Sequence, residues 1–406
     1  MRRRIIRVVG DKCRNCGFCL VWNVCRSSGF CMGCLSCFFA CPFEARAVEY
    51  VDADVEMVTI YVDGVPFRVP GDVSVAEALR YCGFVFGEPG GKEPWLGCGT
   101  GGCWACALVI DGVFERTCIT PVRDGMRVET DVEGVIPRRI VHGPSPHMVG
   151  GKGTPWWEVN YRDYVEAALW VAGCNLRCPQ CQNYHVTYDN VSPALTPSEA
   201  AREVVLCHRK YGTRGIAVSG GEPTLNRRWL TGFFREVTRL VSPKVRRHLD
   251  SNGTLLKPDY VDELVEAGCN NFGVEPKCVS VETYMKITGL KDRDLARKYL
   301  ETVWKAIEYI DEKYGDKVFL GVGLVYNREL VSLEELAKAG EKIASINPRV
   351  QITVLDYFPA FRRRHLKRPT VEEMLEVKRI LEDQGLKTVI EQTEIGHIGS
   401  GNVKRP

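Results

Sequence analysis

From about residue 159 to the C-terminus, short apolar runs alternate with longer stretches whose apolar positions have helical periodicity. The apolar runs predict six strands, at residues 168–172, 215–219, 245–250, 271–275, 318–325 and 351–356. Several helical stretches begin at pairs with capping-box spacing, namely Thr196 with Glu199, Ser332 with Glu335 and Thr370 with Glu373. Strands that alternate with helices pair in parallel. The segment is therefore predicted to be a partial TIM-like (β/α)6 barrel over residues 159–406.

The first part of the chain has a different pattern. Alternating residues at 58–62, the pair Asp63-Gly64 and a second run at 67–69 predict a β-hairpin, and a helical stretch follows from Ser74. These elements place a small domain at residues 55–131. Prolines and glycines punctuate residues 132–158, which predicts a linker, and residues 1–50 form a cysteine-rich module. The fold class is thus multidomain α/β.

Nineteen cysteines are the unusual feature of the composition, because the charged fraction of 26% and the hydrophobic fraction of 45% are ordinary. Most of them stand at spacings that suit metal ligands better than disulfides. The N-terminus lacks the apolar core of an export signal, and no run reaches the roughly 18 apolar residues of a membrane span. The cysteine spacings and the N-terminus therefore predict a cytoplasmic protein. The net charge of only +3 is too small to argue for nucleic acid or a membrane as a partner, and neither is expected.

Cys174, Cys178 and Cys181 follow the first predicted strand of the barrel segment. A [4Fe-4S] cluster needs four ligands, so three thiolates would leave one iron open to a bound molecule. A zinc knuckle, or a cluster completed by a distant cysteine, are the alternatives. Polar motifs follow the next three strands, at the end where TIM-like barrels carry their chemistry: Gly220-Gly221-Glu222, Asp250-Ser251-Asn252 and Glu275-Pro276-Lys277.

Together these motifs resemble the radical S-adenosylmethionine (SAM) proteins related to pyruvate formate-lyase-activating enzyme, over residues 165–395. The resemblance implies an enzyme that reductively cleaves SAM to a 5′-deoxyadenosyl radical, which abstracts hydrogen from a substrate. In that family a Gly-Gly-Glu motif receives the methionine ammonium. The corresponding residues here are Gly220, Gly221 and Glu222.

The resemblance also assigns expectations to the next two loops. Asp250, Ser251 and Asn252 match an Asp-Thr-Asn motif of the activating enzymes. Lys277 stands in the place of a lysine that approaches the methionine carboxylate. The two acidic motifs, here Asp250 and Glu275, are expected to help hold a monovalent cation.

The cysteines of residues 1–50 form two runs, and the second has the spacing and the proline of bacterial ferredoxins. The module resembles a dicluster ferredoxin, which implies two further [4Fe-4S] clusters, whereas zinc sites are the alternative. In that family the last cysteine of each run serves the other cluster. The resemblance therefore implies one set of Cys13, Cys16, Cys19 and Cys41, and another of Cys31, Cys34, Cys37 and Cys25.

The cysteines of residues 55–131 have the order of plant-type [2Fe-2S] ligands: Cys98, Cys103, Cys106 and Cys118. Glycines around Cys98 suit a loop that wraps a cluster closely. The segment resembles the small [2Fe-2S] domains of sarcosine-oxidase-type dehydrogenases, which implies a β-grasp fold. A bare β-grasp domain with incidental cysteines is the alternative. Buried structural thiols are expected for the remaining cysteines, which are Cys82, Cys207, Cys269 and Cys278, with a site role as the alternative for Cys278.

Three functions are compatible with this set of motifs. The main hypothesis is an activase that takes hydrogen from a glycine of a partner glycyl radical enzyme. The second is a radical SAM enzyme acting on a small molecule or cofactor precursor, and the third is an electron-transfer subunit with a non-catalytic SAM-binding domain. In each case a low-potential donor, a ferredoxin or a reductase, would supply electrons through the N-terminal modules. The oligomeric state is not indicated by the sequence.

Overall fold

The structure is a computed structural model of the chain and describes residues 2–27, 29–399 and 401. Within these residues the strands form a two-stranded, a five-stranded and a ten-stranded sheet. The N-terminal module pairs β1 (Arg2–Val8) antiparallel with β2 (Arg46–Asp52). Between them lie two short helices, α1 (Phe18–Val21) and α2 (Ser36–Ala40), each of which follows a cysteine-rich loop.

The second module is a mixed five-stranded sheet in the order β4-β3-β7-β5-β6 with one helix against it. The predicted hairpin is present: its strands pair up to Val62 and Val65, and Asp63 and Gly64 both have positive φ, as a two-residue hairpin turn requires. The elements are β3 (Met57–Val62), β4 (Val65–Pro70), α3 (Val75–Tyr81), β5 (Ala107–Ile110), β6 (Val113–Arg116) and β7 (Arg127–Glu129).

The third module is built on the ten-stranded sheet, in the order β10-β8-β9-β11-β12-β13-β14-β15-β16-β17. Its strands are β8 (Arg139–His147), β9 (Glu166–Val171), β10 (Ala194–Leu195), β11 (Gly215–Gly220), β12 (Arg246–Ser251), β13 (Asn271–Lys277), β14 (Phe319–Tyr326), β15 (Gln351–Asp356), β16 (Thr388–Thr393) and β17 (Gly396–Ile398). Its helices are α4 (Tyr184–Thr187), α5 (Pro197–Tyr211), α6 (Arg227–Leu240), α7 (Pro258–Glu266), α8 (Val281–Thr288), α9 (Arg293–Tyr314), α10 (Leu333–Ile346) and α11 (Val371–Asp383).

The parallel part of this sheet has seven strands, not the six that the sequence predicts. All six predicted strands are present within two residues of the expected ends, and β16 continues the parallel order beyond β15. Strand β16 escaped prediction because only Val389 and Ile390 are apolar in it, and Glu391 and Gln392 follow. Trp170 on β9 and Ile390 on β16 line one cavity, so the sheet curls until its first and last parallel strands face each other.

The helix caps that the sequence predicts form with one change. Complete reciprocal capping boxes start α5 at Thr196 and α11 at Thr370. Ser332 caps α10 as expected, but its partner Glu335 accepts hydrogen bonds from the backbone of Val279 and Ser280 instead. Glu335 therefore joins two βα units, a contact that capping-box spacing alone does not predict.

Part of the segment predicted as a linker belongs to the barrel sheet. Strand β8 lies within residues 132–158 and pairs antiparallel with β9, and residues 149–154 continue into the interior of the sheet. Pro/Gly punctuation suggested an open connection, but Pro144 and Pro146 are tolerated here in an antiparallel strand with an irregular register between His142 and Ser145.

The three modules pack directly on one another. Trp95, Cys98 and Cys103 of the second module belong to the same buried apolar cluster as the barrel strands and helices. Phe18 of the first module lies in a smaller cluster with Tyr188 and Phe361 of the third. The cysteine loops of all three modules consequently face one region at the carboxyl end of the parallel strands.

Candidate functional site

The loop after β9 carries Cys174, Cys178 and Cys181 and holds their thiols close enough to influence one another electrostatically. Each is partly buried, and burial followed by the charge of the Cys178 thiolate raises the pKa of Cys181 to about 11. The pKa of Cys174 is raised by burial and then by Cys178, Glu222 and Cys181. Such mutual repulsion requires closely spaced thiolates, which is the arrangement that iron would neutralise.

A second observation fits a group held by this loop. Gln180, between the last two cysteines, is 1% exposed, and neither its amide oxygen nor its nitrogen has a partner among the described residues. Buried amides are hydrogen bonded in nearly all native proteins. The residues present thus fit a cluster with a bound polar ligand, and they are the same three cysteines that the sequence predicts.

The predicted Gly220-Gly221-Glu222 motif is tightly packed at the end of β11. A Cβ atom on Gly220 or Gly221 would come closer than 3.0 Å to main-chain atoms of Val171 or Gly173, so both positions require glycine for close packing. Glu222 is completely buried. The contact of Glu222 with the methionine ammonium stays a prediction. The structure shows in addition that the two glycines pack the loop after β11 against the end of β9.

The Glu222 carboxylate already accepts hydrogen bonds from several protein donors. They are the Thr224 N–H at 2.9 Å, the Thr224 hydroxyl, the Ser251 hydroxyl at 2.8 Å and the Asn252 N–H at 2.7 Å. A carboxylate has about four acceptor positions. Glu222 therefore ties the loop after β11 to the loop after β12, and Ser251, a predicted ligand contact, serves this link.

Asn252 lies in the loop after β12 and reaches the loop that carries Cys174. Its amide nitrogen is 3.1 Å from the Asn175 amide oxygen and 3.8 Å from the Cys174 sulfur. Its amide oxygen accepts from Thr254 at 2.7 Å, which fixes the orientation of the group. The predicted motif at Asp250, Ser251 and Asn252 thus touches both Glu222 and the candidate cluster loop.

Asp250 and Glu275 are brought together by a lysine that the sequence did not identify. The Lys152 ammonium lies 3.5 Å from Asp250 Oδ1 and 3.3 Å from Glu275 Oε2. Lys277, the predicted carboxylate-binding residue, contacts the other oxygen of Glu275 and lies 3.3 Å from the Tyr357 hydroxyl. The Lys152 ammonium therefore lies between the two carboxylates that the sequence expects to help hold a cation, and that cation stays a prediction.

Charge compensation dominates the electrostatics of this network. Burial opposes ionisation of Asp250, but Lys152 and His248 hold the pKa of that carboxyl well below its usual range. Burial alone would lower the pKa of His248, whereas Glu166 and Asp250 raise it to about 10. Burial likewise opposes the charge of Lys277, and Glu275 raises the pKa of this ammonium well above its usual value. The buried acidic and basic groups thus keep one another ionised.

The four cysteines of the second module converge in the dry interior. Cys98, Cys103, Cys106 and Cys118 are all buried, and their thiols contact one another as the pairs Cys98–Cys103 and Cys106–Cys118. The Thr100 N–H points at the Cys98 sulfur at 3.4 Å, and Gly99 and Gly101 have positive φ. This loop fits a [2Fe-2S] cluster, since N–H groups directed at sulfur stabilise thiolate charge.

The N-terminal cysteines lie in two groups that share Arg46. Burial, opposed by its guanidinium, raises the pKa of Cys37 to about 12, with Cys34, Cys25 and Cys31 as further contributors. Arg46 itself donates to the Cys19 sulfur at 3.1 Å. Cys25 is thus near enough to the second run to influence Cys37, and the assignment of the cysteines to two clusters stays a prediction. In the part of the chain that the structure describes, no three His, Cys, Asp or Glu side chains converge on a single ion position.

Two arginines connect the neighbouring modules to the loop of Cys174. Arg177 donates to the carbonyl oxygens of Cys174 and Cys98, both at 2.6 Å. Arg362 donates to the carbonyl of Cys41 at 3.0 Å, and its own N–H binds the Pro179 carbonyl at 3.1 Å. A single arginine thus links the loop of Cys174 to a loop of the second module, and another links it to a loop of the first module.

The four remaining cysteines occupy structural positions. Cys207 and Cys269 are buried in the core, and Cys82 is half-buried beside the second apolar cluster. Cys278 is 1% exposed, and its thiol donates to the Ser280 carbonyl at 3.5 Å. The structure therefore gives Cys278 a partner of its own next to Lys277.

Comparison with known proteins agrees with the cysteine motifs. Residues 169–331 match the radical SAM superfamily, and residues 55–133 match the 2Fe-2S iron-sulfur cluster binding domain. A probable GTP 3′,8-cyclase of Methanococcus aeolicus is 35% identical over 33% of this chain and 43% of its own length. The NifB protein of FeMo cofactor biosynthesis from Rhodobacter capsulatus is 31% identical over 28% of this chain and 26% of that protein.

Matches to solved structures are distant. They include the coproporphyrinogen III oxidase HemN of Escherichia coli, with 14% identity, a TM-score of 0.35 and coverage of 47% of this chain and 44% of the other. The [FeFe]-hydrogenase maturase HydG has 14% identity, a TM-score of 0.32 and coverage of 59% and 60%. The chain spans about two fifths of the length of the first curated relatives it matches. Among the described residues, no helix is both long and apolar enough to span a bilayer.

The matched ranges coincide with the loops that the geometry brings together. Cys174, Cys178, Cys181 and the motifs after β11, β12 and β13 all fall within the first range, and Cys98 to Cys118 fall within the second. The curated relatives are cyclases and a cofactor-assembly protein, so the specific relation to pyruvate formate-lyase-activating enzyme is unsupported. The chain carries a radical SAM superfamily domain at residues 169–331, preceded by a 2Fe-2S cluster-binding domain at residues 55–133.

Proposed function

We propose that this protein reductively cleaves SAM and uses the product to abstract hydrogen from a small molecule or cofactor precursor. The [4Fe-4S] cluster held by Cys174, Cys178 and Cys181 would supply an electron and an open iron for SAM. The chain's own residues orient the cofactor around that loop. Asn252 fixes the loop near Cys174, Glu222 fixes the neighbouring loops, and Lys277 presents an ammonium toward Cys178.

The observation that carries the choice of substrate class is a cavity inside the curled sheet. It has a volume of about 230 Å³ and is lined by Trp170, Asn183, Asp250 and Gln392, among others. Asn183 follows directly after the cysteine loop, and Asp250 belongs to the charge network described above. A concave space of this size beside the candidate cluster suits a compact molecule better than a polypeptide segment.

The relatives point in the same direction. Their names denote GTP cyclisation and FeMo cofactor biosynthesis, which are reactions of small molecules or cofactor precursors. The main expectation from the sequence, a glycyl-radical-enzyme activase, has no support from these names. An electron-transfer subunit without SAM chemistry is also disfavoured, because the motifs after β11 and β12 contact each other and the loop of Cys174.

Deuterium transfer distinguishes the substrate classes. The protein, reconstituted anaerobically and reduced with dithionite, is supplied with SAM and an extract of its source cells grown in deuterated medium. We expect 5′-deoxyadenosine to gain deuterium from the ultrafiltrate of the extract. Deuterium from the retained protein fraction alone would instead establish an activase. Absence of 5′-deoxyadenosine from a fully reconstituted protein would favour the electron-transfer subunit.

The adjacent modules are proposed to relay electrons to the loop of Cys174. Arg177 joins this loop to Cys98, and its guanidinium also lies 4.3 Å from the Phe39 ring centroid. Its replacement by methionine is expected to loosen contacts between the modules. The rate at which electrons pass from a reduced ferredoxin to the third module should then fall about tenfold, the change given by roughly 1.4 kcal/mol in barrier.

The transfer can be followed by freeze-quench EPR of the reduced clusters. Arg297→Met on the exposed face of α9 provides a control, because Arg297 pairs only with Asp294 on its own helix in the contacts seen here. Unchanged transfer in Arg177→Met, with all clusters present, would show that the contact at Arg177 does not govern the relay.

A further inference from the structure

A glycine-rich strap, residues 149–154, runs from β8 into the interior of the curled sheet. The Lys152 N–H donates to Asp250 on β12 at 3.2 Å. The side-chain amide of Asn271 on β13 donates to the carbonyl of the next strap residue at 2.8 Å, and that of Gln351 on β15 donates to the Lys152 carbonyl at 3.2 Å. The strap is thereby bound to three parallel strands at once.

This close approach depends on glycines both in the strap and on the strands that it crosses. A Cβ atom on Gly151 of the strap would come closer than 3.0 Å to the Asp250 carboxylate, and one on Gly153 closer than 3.0 Å to the His248 ring. On the barrel side, a Cβ on Gly321 would strike the Lys152 carbonyl. Such packing occurs when backbones must approach each other directly, so the path of the strap is built into both segments.

The strap delivers the Lys152 ammonium to the space between Asp250 and Glu275. The Lys152 side chain is 14% exposed. Its methylene groups pass directly over Gly323 on β14, where any larger residue would collide with them. Glu275 contacts Lys277 with its other oxygen. Lys277 has a positive φ of 69° and follows a register shift in β13, so its orientation depends on such contacts.

We propose that Lys152 is a positioning residue of the SAM site that takes the place of a bound monovalent metal ion between Asp250 and Glu275. Its ammonium holds the two carboxylates, and through Glu275 it holds Lys277 in the orientation that faces the cysteine loop. The chain supplies this cation itself, from a segment outside the matched radical SAM range. The expected effect on SAM binding rests on the proposed function. The occupancy of the cation position by Lys152 does not.

The local charge balance supports this assignment. Two carboxylates, Asp250 and Glu275, face two ammonium groups, Lys152 and Lys277, in a buried site. The His248 ring, which also contacts Asp250, is paired with the Glu166 carboxylate, so this second pair adds no net charge. A metal ion bound to the same carboxylates would face the Lys152 ammonium at short range, where repulsion is weakly screened. Removal of Lys152 would leave carboxylate charge uncompensated, a condition that is strongly unfavourable in a buried site and that an added cation would relieve.

The test compares SAM binding with and without small cations. Binding of SAM to the anaerobically reconstituted full chain is measured by equilibrium dialysis in tetramethylammonium chloride and in potassium chloride of equal ionic strength. For the unaltered protein we expect the same affinity in both salts. For Lys152→Met we expect binding about tenfold weaker in tetramethylammonium chloride, with recovery on addition of potassium or ethylammonium ions. Lys244→Met, an exposed position, is the control variant.

A second measurement does not depend on SAM. Thermal unfolding of the anaerobically reconstituted proteins, without SAM, is followed as the potassium concentration rises at constant ionic strength. Lys152→Met is expected to gain stability from potassium, whereas the unaltered protein and Lys244→Met are not. A structural role of Lys152 without charge compensation would not produce this dependence on a specific cation.

Two results would overturn the inference. One is a potassium requirement of the unaltered protein in either measurement, which needs no variant to fold. The other is cation-independent SAM binding by Lys152→Met at the original affinity. If the unaltered protein fails to bind SAM in either salt, the proposed function fails, and the unfolding experiment then decides the origin of the cation separately.

Discussion

Replacement of Cys174, Cys178 and Cys181 together by alanine is expected to reduce SAM cleavage to background, a fall of at least about a thousandfold. These three cysteines lie on one loop, and the cysteines of the other two modules lie on separate loops and on the short helices α1 and α2. The variant should therefore lose the iron of one [4Fe-4S] cluster and keep the rest. Iron and sulfide content, the EPR spectrum of the reduced protein and 5′-deoxyadenosine formation measure these changes.

Cys207→Ala is the matched control for this variant. Cys207 is buried on α5 within the core, where the thiol acts as a small apolar side chain. Its replacement should leave all clusters and the cleavage activity intact. Continued SAM cleavage by the triple variant would show that the cysteine loop is not the cofactor site. Loss of every cluster would show that the triple variant perturbs the packing of all three modules.

Replacement of Gly321 by alanine is expected to lower the free energy of unfolding by about 2–3 kcal/mol. The added methyl group would come closer than 3.0 Å to the carbonyl oxygen of Lys152, which is a main-chain atom and cannot be moved by rotation of a side chain. Either β14 or the strap must shift. Because the strap carries Lys152, SAM affinity should decrease together with stability.

Thermal and urea unfolding monitored in the cluster-free protein measure this effect. Gly134→Ala is the control, since no atom lies within 4 Å of a Cβ at that position. Its effect should stay within about 0.5 kcal/mol. Equal stability of the two variants would contradict the close packing of the strap against β14.

Much of the candidate site could be predicted because its signals are local in the sequence. Most neighbouring candidate cluster ligands are separated by two to five residues, although eleven separate Cys106 from Cys118. The short spacing that identifies Cys174, Cys178 and Cys181 also places them on one loop. The strand-end motifs were predictable for a related reason: parallel strands place their following loops at one edge of a sheet. The structure accordingly brings Asn252 near Cys174 and Glu222 near Ser251.

The role of Glu222 required the tertiary structure. The motif marks the residue as a ligand contact, but it does not show that the carboxylate already binds Thr224, Ser251 and Asn252. These partners become neighbours only when β11 and β12 pair. The number of parallel strands also depended on pairing, because β16 is too polar to be recognised by hydrophobic pattern alone.

Spacing and periodicity along the chain were enough to predict the order of the modules, the βα alternation and the groups of candidate metal-ligating cysteines. Two features could be seen only in the folded chain: the apparent linker enters the barrel, and Lys152 joins Asp250 to Glu275. A glycine-rich strap has no apolar periodicity to reveal its path, and the Lys152 main chain meets Asp250 across 98 positions of sequence. Such a charge contact exists only after the sheet has curled around the strap.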